Sequence, residues 1–180
     1  MKLWTILTDA VSGWMLIARS EPGWRERFTI SAAGFVTALC IFAFMAFLAV
    51  AFASMSIGMP SAVGVAAAMF VLALPVTALV VTLLGTRIVL KSEEPMLPVL
   101  VPGIYALTAF LLAEGFLAMI GGPVVMLAWL GLGYLLFRLA RVATSWNAGI
   151  AAAFAVLTVV LLVAMRLALY MLSTPAGSPI

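Results

Sequence analysis

Glu114 and Arg166 are the two ionisable side chains of this chain that stand well inside long apolar runs. A carboxylate in such a place can take up a proton or a cation, and a guanidinium can hold an anion or the carboxylate itself. Other reactive constellations lack their parts. There is no histidine, and the single cysteine, Cys40, lies within an apolar run, which removes the commonest general base, a thiolate metal site and any intrachain disulfide. No Gly-rich phosphate loop and no zinc-protease, aspartyl-protease or Ser-His arrangement is present. No metal, no cofactor and no enzymatic activity are therefore expected.

The surroundings explain why two charges stand out. Of 180 residues, 67% are hydrophobic and 8% charged, with a mean hydropathy of +1.32. A soluble domain carries about a quarter charged residues, because a water-facing surface needs them. This composition excludes a soluble enzyme, a nucleic-acid-binding domain, a disordered linker and a secreted disulfide scaffold. The net charge of +3 is no argument for nucleic acid, since Lys and Arg collect on the cytoplasmic loops of membrane proteins. The fold class expected is all-α: a polytopic membrane protein with five transmembrane helices preceded by an amphipathic interfacial helix.

A bilayer core of about 30 Å needs about 20 apolar residues in helical form. Runs of that kind place the spans at about 30–55, 60–84, 99–120, 123–140 and 145–172, within a transmembrane domain 30–172, and leave 173–180 as a short tail. Pro75 falls inside the second span, where it removes a backbone hydrogen bond and predicts a kink. Ser56-Ile57-Gly58-Met59-Pro60 and Gly121-Gly122-Pro123 read as tight uncharged turns. Glu114 is six residues before Ile120 and Arg166 six before Leu172, so both lie about 9 Å inside the same boundary. An ion pair between the third and fifth spans follows from that shared depth. Tyr105 and Thr108 are the polar neighbours expected beside it.

Eight of the nine basic residues (Lys2, Arg19, Arg25, Arg27, Arg87, Lys91, Arg138 and Arg141) fall on one side of a five-span serpentine. This bias places the N-terminus in the cytoplasm and the C-terminus outside. Arg25, Arg27, Arg87, Lys91, Arg138 and Arg141 are expected at the lipid headgroups, with Trp24 and Trp146 as interfacial aromatics beside them. Residues 1–29 form a cytoplasmic unit. In it Leu3, Trp4, Leu7, Val11, Trp14, Met15 and Ala18 share a helical face, which predicts a helix lying in the headgroup layer with Trp4 and Trp14 inserted. Asp9 in the would-be apolar core argues against a cleaved signal peptide. Gly64 with Ala68, Gly149 with Ala153, and Gly131 and Gly133 have the small-residue spacing that lets helices approach closely.

The layout resembles the Yip family (Ypt-interacting proteins) in its bacterial form. The likeness rests on the short N-terminal helix, on Glu21-Pro22-Gly23-Trp24-Arg25 leading into the first span, and on Gly133-Tyr134-Leu135-Leu136-Phe137-Arg138 closing the fourth. Eukaryotic members are integral proteins of the early secretory pathway that bind small GTPases through a cytosolic N-terminal region; their Asp-Leu-Tyr-Gly-Pro segment has no match here. The resemblance implies a five-helix integral membrane fold.

Two readings of function stand at this point. One is a non-enzymatic protein of a bacterial inner membrane, acting in membrane organisation or as a partner subunit of another membrane protein, with Glu114 and Arg166 fixing helix registry. The other is a small transporter or permease subunit that uses the same pair in a polar cavity, which with five spans implies a homo-oligomer or a larger complex. The partners expected are the lipid bilayer and a second copy or another membrane protein.

Overall fold

Side-chain caps set where three of the long helices begin. The hydroxyl oxygens of Ser31 and Ser61 accept from the backbone N–H of Gly34 and Gly64, each at 3.1 Å, and Asn147 Oδ1 accepts from Ile150 N at 2.9 Å. Each satisfies a donor that the first helical turn leaves without a partner. The computed structural model describes residues 3–57 and 61–173. Among them the helices are α1 (Leu3–Arg19), α2 (Ala32–Ile57), α3 (Ala62–Leu90), α4 (Leu97–Ile120), α5 (Met126–Ala143) and α6 (Ala148–Ser173), with single 3₁₀ turns at Trp24–Arg27 and Gly122–Val125. The fold is all-helical, and α2 to α6 are long and apolar enough to cross a membrane.

Element ends differ from the sequence expectation where charge was read as loop. The second span ends at Leu90 rather than near residue 84, and Arg87 belongs to its last turn. Likewise α5 runs to Ala143 and contains Arg138 and Arg141. A cation in the last turn sits favourably against the negative end of the helix dipole, so Arg87 and Arg141 extend their helices. Lys91, at φ 49° and ψ 39°, then closes α3 in the left-handed conformation. Pro75 and Pro102 lie inside α3 and α4, and neither ends its helix. Of the turn expected at Ser56–Pro60, Ser56 and Ile57 belong instead to the end of α2, and Ser173 of the expected tail to the end of α6; residues 58–60 and 174–180 lie outside the described residues.

The most enclosed helix is α4. It packs along α2 and α5 and also touches α1 and α3, while α6 packs along α5 and α3, and α3 returns to α2. Glycine at 103 permits part of this closeness, since a Cβ there would stand 2.8 Å from a Leu79 methyl. Buried positions run from Leu74 to Leu83 in α3, from Pro98 to Leu111 in α4, from Ala128 to Ala143 in α5 and from Ala151 to Leu162 in α6. In α4 and α6 they stop at Leu111 and Leu162, two to three turns before the helix ends. Beyond those residues, and all round the bundle, large apolar side chains such as Phe44, Phe52, Phe70, Phe116 and Leu130 are more than half exposed. Exposing that much apolar area to water costs about 25 cal/mol per Å², so the surface is compatible with an integral membrane protein.

At the other end the basic residues tie elements together. The Arg138 guanidinium donates to Ala18 O at 2.5 Å and to Ser20 Oγ at 2.6 Å, which satisfies carbonyls at the C-terminus of α1. Arg25 donates to Ala143 O at the end of α5, and Arg141 to Trp146 O. Glu94 accepts from the backbone N–H and the hydroxyl of Ser145, joining the α3–α4 and α5–α6 connections. Arg138→Ala is expected to weaken the docking of α1 by about 1–2 kcal/mol, from the loss of charge-assisted hydrogen bonds. Amide hydrogen exchange over residues 3–19 should quicken about tenfold, with exchange in α6 unchanged.

Candidate functional site

Glu114 stands one turn beyond Leu111, the last buried residue of α4, and Arg166 one turn beyond Leu162, the last of α6. The two meet at the edge of the buried core. Arg166 Nη1 donates to Glu114 Oε1 at 2.5 Å and Nη2 to Oε2 at 3.0 Å, so each carboxylate oxygen has its own guanidinium nitrogen. This two-pronged contact is the geometry in which an arginine–carboxylate pair is both strongest and most directional. The side chains are 23% and 17% exposed for Arg166 and Glu114.

Two aromatic rings complete the arrangement. The guanidinium carbon lies 5.1 Å from the centre of the Trp129 ring and 5.9 Å from that of Phe110, and the two rings meet edge to face at 5.1 Å. A cation over a ring face gains about 0.5–2 kcal/mol, more where water is excluded. Trp129 comes from α5, which lies between α4 and α6. The cluster therefore joins three helices, with α4 supplying Glu114 and Phe110 and α6 supplying Arg166. Phe110 is four residues before Glu114, on the same helical face, which was a readable spacing; no sequence signal linked Trp129 to Arg166.

The expected polar neighbours are not there. The Thr108 hydroxyl is buried and donates to Ile104 O at 2.9 Å within its own helix. Tyr105 lies more than two turns from Glu114 and packs on Phe28, ring centres 5.9 Å apart. Open apolar grooves of about 450 Å³ between α3 and α6 and about 380 Å³ between α5 and α6 line other surfaces, and neither includes Glu114 or Arg166. Among the described residues no group of three His, Cys, Asp or Glu side chains comes together.

Three of the tryptophans expected at the membrane interface pack against the protein. Trp24 and Trp146 are 4% and 6% exposed; Trp24 packs on Phe28, and Trp146 edge-on to Phe154. Trp14 is turned into the bundle, where its indole N–H donates to Pro102 O at 3.2 Å. The amphipathic pattern shows that a face is apolar and is silent on whether lipid or protein covers it. Arg25 lies over the Trp24 ring, and Arg27 faces Asp9 at 3.6 Å. Arg138 and Arg141 engage carbonyls as described, and Arg87 Nε is buried without a partner. Trp4 and Lys91 are exposed.

The small-residue positions also differ from expectation. Gly131 is open on its outer side, Gly133 makes only an ordinary contact with Val159, and Gly149 and Ala153 are exposed, so none admits a close helix approach within one copy. Gly64 serves the start of α3 as the donor to the Ser61 cap, and Ala68, a turn further on, is half-buried. Close approach occurs at Gly13, Gly34 and Gly103, where an added Cβ would fall within 3 Å of Phe28, Thr29 and Leu79. Abundant Gly and Ala hide the few that matter. Compared with family models, curated proteins and solved structures, the chain finds no match.

Proposed function

We propose that this is a non-enzymatic integral membrane protein of a bacterial inner membrane, of the Yip-like five-helix kind, working in membrane organisation or as a partner subunit of another membrane protein. Its N-terminus is cytoplasmic on this reading, since the basic residues gather at the end where α1 docks. The observation that carries it is the two-pronged pairing of Glu114 with Arg166, whose Nε is buried beside it without a partner. A carboxylate in a transport pathway has to exchange partners. Here both carboxylate oxygens and both terminal guanidinium nitrogens are engaged with one another, and the ring faces of Trp129 and Phe110 hold the arginine from beside. Such a cluster acts as a clamp that sets the register of α4, α5 and α6.

Reconstitution into vesicles tests this. Vesicles holding the purified protein should lose an imposed proton or sodium gradient no faster than empty ones, with wild type and Glu114→Gln alike. Flux above the empty-vesicle rate that Glu114→Gln abolishes would overturn the proposal in favour of a transporter.

A further inference from the structure

At about 100° per residue, the side chains of α1 divide into three sectors and not the two of a simple amphipathic helix. The first holds Ile6, Ala10, Gly13, Trp14 and Ile17. It faces the bundle: Ala10 and Ile17 are buried, Gly13 fits against Phe28, and Trp14 reaches Pro102 O. The second holds Leu7, Trp4, Val11, Met15 and Ala18, all apolar; Trp4 is 74% exposed, and Val11 and Met15 are each 56% exposed. The third holds Thr5, Thr8, Ser12, Asp9 and Arg19, with Leu16 between Thr5 and Asp9 half-buried and packed against the core. The apolar surface of α1 thus extends past what the bundle covers, through Trp4, Val11 and Met15.

The level of α1 identifies what covers the rest. Ile6 shares a crevice with Thr37, Val101 and Tyr105, which belong to the second turn of α2 and the second and third turns of α4. Arg138, which caps the other end of α1, is more than one turn inside the end of α5. The helix therefore lies beside the first turns of the spanning helices and not beyond their ends. On the reading that α2 to α6 cross a bilayer, its neighbours at that level are phospholipid esters and upper acyl segments.

We infer that α1 is an in-plane helix wedged between bundle, lipid and water, and that Trp4, Leu7, Val11 and Met15 form a phospholipid-binding strip in one leaflet. The contact is with the apolar part of the lipid. Within residues 19–27 and Asp9, Arg19, Arg25 and Arg27 are matched by Asp9, Glu21 and Glu26, with Arg27 and Asp9 facing each other directly, and Arg138 is engaged by Ala18 O and Ser20 Oγ, so the exposed strip itself carries no cation aimed at a headgroup. Trp14 joins this strip to α4, so lipid packing against α1 bears on the most enclosed helix of the bundle.

The test uses the full chain with Cys40→Ser, carrying one nitroxide-labelled cysteine at a time (T5C, V11C, S12C, M15C or F116C), in phosphatidylcholine vesicles. Collision with oxygen, which concentrates in lipid, should exceed collision with a water-soluble nickel chelate several-fold at V11C and M15C. The order should reverse at T5C and S12C. Nickel dominating at V11C and M15C while F116C reads as lipid overturns the strip alone. Nickel dominating at F116C as well overturns the spanning reading and the strip with it. Adding phosphatidylglycerol should change none of the ratios; lipid exposure of Val11 and Met15 only with the anionic lipid would overturn the apolar contact.

Discussion

Glu114→Ala is expected to destabilise the bundle by about 3 kcal/mol, a shift of about two orders of magnitude in the unfolding equilibrium. The loss exceeds that of an exposed salt bridge, worth about 0–1 kcal/mol, because the pair is mostly shielded and the orphaned guanidinium stays at the core edge with only two ring faces beside it. Glu114→Gln should cost less, since an amide oxygen still accepts one of the two hydrogen bonds. Unfolding by dodecyl sulfate in mixed micelles, followed by tryptophan fluorescence, measures both. The effect has a place as well as a size. Because buried positions end at Leu111 and Leu162, the pair is a polar link between α4 and α6 beyond those residues, and exchange protection should fall first in the last turns of α6.

Gly34→Ala is the second large effect, and it acts through the backbone. A Cβ at position 34 would stand 1.7 Å from the carbonyl oxygen of Thr29 and 2.8 Å from its carbonyl carbon, which no rotamer change relieves. The chain before α2 would have to move, breaking the Ser31 cap and shifting Phe28, which is buried between Trp24 and Tyr105. A lost cap costs about 1 kcal/mol, and disturbed aromatic packing brings the expected total to about 2–4 kcal/mol. Gly131→Ala is the control. With open space around it, that substitution should stay within about 0.5 kcal/mol of wild type in the same unfolding assay.

Apolar runs of about 20 residues with few charges mark the five long helices in the sequence because little else can follow from so many apolar residues in a row. Pairing of Glu114 with Arg166 was readable from equal depth alone, since two lone charges at one level have a strong reason to meet. Helix ends were less legible at Arg87 and Arg141. There a charge signals the polar end of a span, while its side chain can still belong to the final helical turn. Partners across the bundle were not legible. Whether Trp14 meets lipid or Pro102, and whether Trp129 or Tyr105 stands beside Arg166, depends on the rotation of each helix about its axis, and an almost uniformly apolar helix encodes that rotation only weakly.

The most direct measurement of the clamp is a double-mutant cycle in the unfolding assay, comparing wild type, Glu114→Ala, Arg166→Ala and the double variant. A clamp predicts coupling of at least about 2 kcal/mol, with the double variant no worse than the worse single one, because removing both charges leaves neither orphaned. Losses that add to within about 0.5 kcal/mol would show that the two residues act independently, and would contradict it.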